Sequence, residues 1–288
     1  MEPSQLLQAI NHTQGTTFTL LQRYPIGEQG AFAITDEQGK QYVLKWNVDT
    51  SSLRNLEDAK AITDLLHSLE YPVPRYVLLG HASTGIYSIQ EALPGSLILH
   101  LTAKFLPRLL ELNELQRNRA LASQSQQNWH QVAVKTVLYG GNGYCLHSSL
   151  QEHSRETAQL LQELQGLVVA HQDVPHRTND IVHGDFHLAN ILAHNEQVSG
   201  VIDWSPPGMG DCVFDLVTLL FYAYDDPTML QQLWQSVLEH ASPQLLSVYC
   251  AHMILRQVDW SLRYHDQAAS DQYIKQGQAL LCDLAAML

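Results

Sequence analysis

The sequence predicts an α+β chain of two lobes, an antiparallel sheet lobe followed by a mainly helical one. Three observations carry this reading. Short β-rich runs separated by turn residues fill most of the first ninety residues. Helical periodicity dominates from about residue 97 onward. Between residues 181 and 204, inside the helical part, two apolar runs are bordered by polar residues at fixed spacing. A chain of 288 residues with 45% hydrophobic content can bury a large core in one big domain or two lobes.

The strand candidates are residues 17–21, 31–34 and 41–46, rich in Thr, Phe, Ile, Val and Trp. Turn chemistry at residues 25–30 and 36–39 separates them, so they read as an antiparallel meander. Residues 53–69 follow as a helix, with Leu53, Leu56, Ala59, Ile62, Leu65, Leu66 and Leu69 at helical spacing. Pro72 and Pro74 end it, and residues 76–79 and 87–90 are two further strands. A break at residues 91–95 sets the lobe boundary, giving 1–92 and 93–288. Helices are expected at 97–116, 122–138, 151–171, 213–224, 228–240, 243–263 and 269–287. The Gln-rich stretch 116–131 reads as a polar helix surface or connection.

The net charge of −13 argues against a nucleic-acid partner, whose phosphates it would repel. Ten basic and nineteen acidic residues from Leu93 onward leave that part at −9, against −4 before it. Such a field suits a cationic ligand as well as it suits solubility. Cys145, Cys212, Cys250 and Cys282 form no paired motif and read as reduced cytosolic thiols, and the fifteen histidines show no ligand spacing. No run is long and apolar enough for a membrane span, and the N-terminus lacks the pattern of a signal peptide, so a cytoplasmic protein is expected.

The chemistry concentrates in His183-Gly184-Asp185-Phe186-His187-Leu188-Ala189-Asn190, followed by Val201-Ile202-Asp203-Trp204. Asp185 supplies a carboxylate to accept a proton. Asn190, just before Ile191-Leu192, supplies an amide oxygen, and Asp203, just after Val201-Ile202, a second carboxylate; together these two can hold a divalent cation. Phosphoryl transfer needs this set, because its catalysis is mostly positioning and neutralisation of phosphate charge. Each residue alone reads as a cap or a turn; the joint spacing is what points to phosphotransfer.

On these motifs the chain resembles the aminoglycoside phosphotransferase family, small-molecule kinases that share the protein-kinase fold. The match runs from about Gly27 to Leu216. It implies a two-lobed kinase-like fold with Asp185 as catalytic base and Asn190 and Asp203 as ligands of Mg²⁺, with ATP or GTP as phosphoryl donor. Lys45, in Val43-Leu44-Lys45-Trp46, matches the strand lysine that meets the nucleotide phosphates, with Glu57 as its expected helix partner and Asp58 as the substitute. Gln90 and Ala92 match the hinge that binds the base through backbone groups, and Gly27 and Gly30 the turn over the phosphates. Asp215 would brace the catalytic loop, in a family pattern whose usual proline is here Cys212. Gly184 replaces the arginine of the protein-kinase loop, and no activation-segment motif follows Asp203, which disfavours protein substrates. The implied acceptor is a hydroxyl of a small molecule, foremost a cationic aminoglycoside-like antibiotic, with macrolides, choline, homoserine and methylthioribose as alternatives. Asp225, Asp226, Asp259 and Asp266 are candidate partners for amino groups, and Trp260 and Tyr264 for a quaternary ammonium. A non-catalytic nucleotide-binding protein of the same fold is disfavoured because Lys45, Asp185, Asn190 and Asp203 are all present.

Overall fold

The computed structural model describes residues 2–24, 30–47, 53–83, 85–121, 127–204 and 208–288. They group into two compact units: the described residues within 1–97 and 191–207, and those within 98–122, 127–190 and 208–288.

The first unit opens with a helix, α1 (Pro3–Gln14), where the sequence reading placed no element. Its signals are local: Pro3 occupies the first turn and Gly15 closes the helix at φ 65°. Leu6, Leu7 and Ile10 line one face of α1 and are buried with Phe18, Phe32, Ile34, Tyr42, Leu44, Tyr87 and Ile89. That cluster joins α1 to a five-stranded antiparallel sheet in the order β1-β2-β3-β5-β4. Its strands are β1 (Thr19–Arg23), β2 (Ala31–Thr35), β3 (Gln41–Asn47), β4 (Tyr76–His81) and β5 (Ile86–Glu91). The meander is as the turn chemistry required, and α2 (Leu53–His67) lies between β3 and β4 in the chain. A second sheet of β6 (Ser96–Leu97), β9 (Ile191–His194) and β10 (Gln197–Val201) runs in the order β10-β9-β6. The pairing of β6 with β9 explains why this unit runs past residue 92 to Leu97 and takes in the segment from Ile191 onward.

The second unit is built around α9 (Pro243–Tyr264), which packs against α4 (Trp129–Tyr139), α5 (His147–His153), α6 (Arg155–His171), α7 (Val213–Tyr222) and α10 (Gln267–Met287). Helices α3 (Leu106–Glu114) and α8 (Pro227–Leu238) pack on α7. Three expected helices are shorter than read. Pro107 sits in the first turn of α3, and the conformation it imposes prevents an extension back to residue 97. Residues 127–128 form a short strand, β7, with Asn128 capping α4 by accepting from the Gln131 N–H. Ser154 caps α6 at the Thr157 N–H, 3.1 Å, and so divides α5 from α6. A small sheet of β7, β11 (Gly208–Gly210) and β8 (Asp180–Val182) leads into the His183–Asn190 motif. No helix among the described residues is long and apolar enough to cross a membrane.

Leu44, on β3 beside Lys45, has no solvent exposure. Leu44→Ala is expected to cost about 2–5 kcal/mol of stability through lost burial and a residual cavity. Denaturant titration would check it, and a loss under 1 kcal/mol would mean that the sheet core collapses around the gap.

Candidate active site

The motif His183 to Asn190 follows β8 directly, and its conformation is imposed by α7. Asp215, fully buried in α7, accepts three hydrogen bonds: from the His183 N–H (2.9 Å), the Gly184 N–H (2.8 Å) and Gln116 Nε2 (2.8 Å). Burial pushes its pKa up, against the pull of His183 and the donated N–H groups. The brace assigned to Asp215 from the motif is therefore present as geometry.

Gly184 adopts φ 78°, and a Cβ there would lie 1.9 Å from Trp129 Cζ2. The Trp129 ring, stacked on Phe214 at 5.2 Å, occupies the space that any larger residue at 184 would need. The glycine in the place of the protein-kinase arginine thus has a steric cause in this chain.

Asp185 emerges from this clamp half-buried, its side chain 36% exposed. Its Oδ1 accepts from Arg256 Nη2 at 2.5 Å and lies 3.3 Å from His187 Nε2, while Oδ2 accepts from Asn190 Nδ2 at 3.2 Å. Burial alone would raise its pKa, but Arg256, then His187 and His183, outweigh it and hold the carboxyl well below the ordinary range. Asp185 is therefore ionised at neutral pH.

Asn190 closes a 3₁₀ turn, Leu188–Asn190, and its Nδ2 also donates to the Asp185 carbonyl at 2.9 Å. With the amide nitrogen committed, Oδ1 accepts no hydrogen bond from the described residues, and its lone pairs are uncommitted there.

Two positions away from the loop explain its support. Asp180 is fully buried and accepts from Arg177 Nε (2.7 Å), Arg177 Nη2 (2.8 Å), the Asn118 N–H (2.9 Å) and the Cys212 N–H (3.2 Å). A proline at 212 has no N–H to give, so Cys212 adds a bond that the usual family residue could not. Asp180, Asp211 and Cys212 bring three ligand-type atoms within 4.8 Å of one another, but the Asp180 oxygens are saturated and Arg177 already supplies the positive charge.

In the first unit, Lys45 on β3 pairs with Asp203 at 2.9 Å. Asp203 sits at φ 69°, just past β10. Trp204 after it is buried, donates its indole N–H to the Val201 carbonyl at 3.0 Å and meets Tyr71 edge-on at 5.7 Å. Glu57, the expected partner of Lys45, is exposed on α2, and no Lys45–Glu57 ion pair forms among the described residues. Asp58, its substitute, is half-buried nearer the face that carries Ile62 and Leu66. Gln90 is buried in β5, but the Ala92 N–H expected to meet the base donates to the Gln41 carbonyl at 3.2 Å. Base recognition through Ala92 would have to exchange that bond. Gly30 precedes β2 at φ 64°, and Gly27 lies outside the described residues.

The acidic residues singled out for a cationic ligand are all in use. Asp226 caps α8 and Asp266 caps α10. Asp225 accepts from Gln272 and Gln276. Asp259 is fully buried, gripped by Arg263 at 2.7 and 2.9 Å and by the Ser149 hydroxyl. Arg263 also lies over the rings of Trp260 (5.7 Å) and Tyr264 (4.8 Å), the cation–π position offered to a quaternary ammonium. Arg256 is the residue that sequence reasoning missed. Its signal was a lone charge directly after Tyr249-Cys250-Ala251-His252-Met253-Ile254-Leu255, where a buried helix demands an internal partner.

Asp215→Asn is expected to destabilise the protein by about 1–3 kcal/mol and to lower activity. An amide replaces one acceptor oxygen with a donor, so at least one of the three N–H groups is left facing another. Thermal unfolding and nucleotide turnover would check it; an unchanged Tm would contradict the brace.

Comparison with known proteins places this geometry. A thermostable mutant of the aminoglycoside phosphotransferase APH(4)-Ia, in its apo form, matches with a TM-score of 0.68 and 19% identity, over 97% of this chain and 98% of that one. Choline kinase LicA from Streptococcus pneumoniae matches with a TM-score of 0.65 and 14% identity, over 94% and 97%. Amicoumacin kinase hAmiN, in complex with AMP-PNP, Ca²⁺ and Ami, matches with a TM-score of 0.61 and 15% identity, over 94% and 93%. At these identities the likeness is one of fold, and the fold is kinase-like. No curated protein sequence matches the chain. The model of the phosphotransferase enzyme family matches residues 22–246, and the chain belongs to that family.

Proposed function

We propose that this protein is a nucleotide-dependent O-phosphotransferase acting on a hydroxyl of a small molecule. The observation that carries the reading is the state of Asp185: an ionised carboxylate, partly open to solvent, held by Asn190 and Arg256 near the start of a loop that Asp215 braces. An ionised carboxylate with lone-pair capacity left can orient an acceptor hydroxyl and take its proton. Asn190 and Asp203 are the proposed ligands of Mg²⁺; both offer oxygen, the donor type this cation prefers. When bound, the cation neutralises phosphate charge.

Lys45 would engage the phosphates of ATP or GTP, exchanging its ion pair with Asp203 for them, with Asp58 or Glu57 as the acidic neighbour on α2. The peptide groups of Gln90 and Ala92 would meet the base. For the acceptor, the −9 charge from Leu93 onward favours a cation, and an aminoglycoside-like compound is the proposed class. Aspartates that cap helices or pair with Arg263 would not ligate it singly, so the attraction would come from the summed field of the unit. A nucleotide-consumption screen over aminoglycosides, macrolides, choline, homoserine and methylthioribose tests the assignment.

Asp185→Asn is expected to abolish transfer while Mg·ATP binding persists, since Asn keeps the size but is not a useful base. General-base assistance is worth about 10²–10⁴-fold, and the loss should lie in kcat. Calorimetry and a transfer assay on the same variant decide it; lost nucleotide binding would mean that Asp185 is a metal ligand instead. Affinity for the preferred acceptor is expected to fall as salt rises, because exposed charges are screened over about 8 Å at physiological ionic strength. A neutral best acceptor, or salt-independent affinity, would leave the phosphotransferase assignment and remove the aminoglycoside-like one.

A further inference from the structure

Arg256 stands in a long and largely buried helix. Along α9 nearly every residue from Leu245 to Asp259 is buried, and a charge there is costly unless something specific holds it. What holds it is the catalytic loop. Arg256 Nη1 donates to the Gly184 carbonyl at 2.9 Å and Nη2 to Asp185 Oδ1 at 2.5 Å. Gly184 is therefore gripped on both sides, its N–H by Asp215 of α7 and its carbonyl by Arg256 of α9. The planar guanidinium spans two successive residues, so it fixes the rotation of the carboxylate as well as its place. Tyr144 lies behind it, its ring centre 6.0 Å from the guanidinium carbon. Tyr144 is carried by a segment whose Gly143 and Cys145 both adopt positive φ.

We propose that Arg256 is a positioning residue for phosphoryl transfer, which sets the Asp185 carboxylate in the orientation that receives the acceptor's proton. The inference rests on the phosphotransferase reading given above. If the helix needed only stability at this point, an apolar residue of similar volume would serve as well or better. The charge is aimed instead at the one carboxylate assigned to the reaction. Asp185 then has Oδ1 committed to Arg256 and, more distantly, to His187, while Oδ2, with only the Asn190 contact, is left for the acceptor hydroxyl.

Arg256→Lys and Arg256→Met test it, each followed by kinetics per folded molecule and by amide hydrogen exchange. Lys keeps the charge but cannot span Gly184 and Asp185 together. A misplacement of about 1 Å can cost 10²-fold in rate, so Arg256→Met is expected to lose about that in kcat, with Arg256→Lys between it and wild type. Acceptor KM and Mg·ATP affinity should stay within about twofold, near the noise of such comparisons. Exchange should quicken in residues 183–190 and not along the rest of α9. A rise in acceptor KM with kcat retained would overturn the proposal in favour of direct acceptor binding by Arg256. An unchanged kcat, or unchanged exchange in residues 183–190, would overturn it as well. A wild-type protein that turns over no acceptor, yet shows the exchange change in Arg256→Met, would overturn the phosphotransferase reading and with it the role in transfer.

Discussion

The path of the loop from His183 to Asn190 depends on one buried carboxylate. Asp215 has no access to water, and three N–H groups satisfy it. Two of them belong to the peptides that leave β8, so the direction in which the loop sets out is fixed by a buried acceptor that cannot be left without hydrogen bonds. Trp129 then forbids any side chain at Gly184. A hydrophobic helix packed on other helices in this way sets the path of the loop that carries the half-buried Asp185 carboxylate. Asp180 repeats the device one strand-length earlier, where Arg177 and two backbone N–H groups hold the start of β8.

The sequence made much of this legible, and the failures have physical causes. The five strands of the first sheet were readable because their turns carry Gly, Asp and Pro at the needed places. Asn190 before β9 and Asp203 after β10 were readable because polar residues border short apolar runs. The helix α1 escaped notice although Pro3 and Gly15 mark its ends, because three large apolar residues in twelve make a weak stripe. The pairing of β6 with β9 joins residues nearly a hundred apart and leaves no local trace. Arg256 shows the same limit for a side chain: its position in a buried helix announces a partner, but only the tertiary structure says that the partner is Asp185.

Net charge was the least transferable signal. A total of −13 invites a cationic ligand, yet the acids singled out are spent on helix N-termini, glutamine amides and Arg263. An N-cap aspartate is there because the first turn of a helix has unsatisfied N–H groups, whatever the ligand. Trp260 and Tyr264 make the same point from the other side, since the chain's own Arg263 lies over their faces. Charge counts describe the field in which an acceptor arrives; which side chains touch it is decided by those not already engaged.

Asp203 carries the last step. A residue other than glycine at φ 69° costs roughly 1–2 kcal/mol against the ordinary backbone regions, although Asp bears it better than most. Such a conformation persists only where the surroundings over-determine it. Here they do: the Val201 N–H is tied to the Pro72 carbonyl at 2.7 Å, and the Trp204 indole returns to the Val201 carbonyl. The anchors on either side leave Asp203 as a kink with its carboxylate half-exposed and directed at Lys45. An ion pair so open to solvent adds about 0–1 kcal/mol, too little to account for the kink. The strain makes sense as presentation. Under the proposed function, these two opposite charges, 2.9 Å apart and partly open to solvent, would exchange partners, the Asp203 carboxylate for the cation and the Lys45 ammonium for the phosphate.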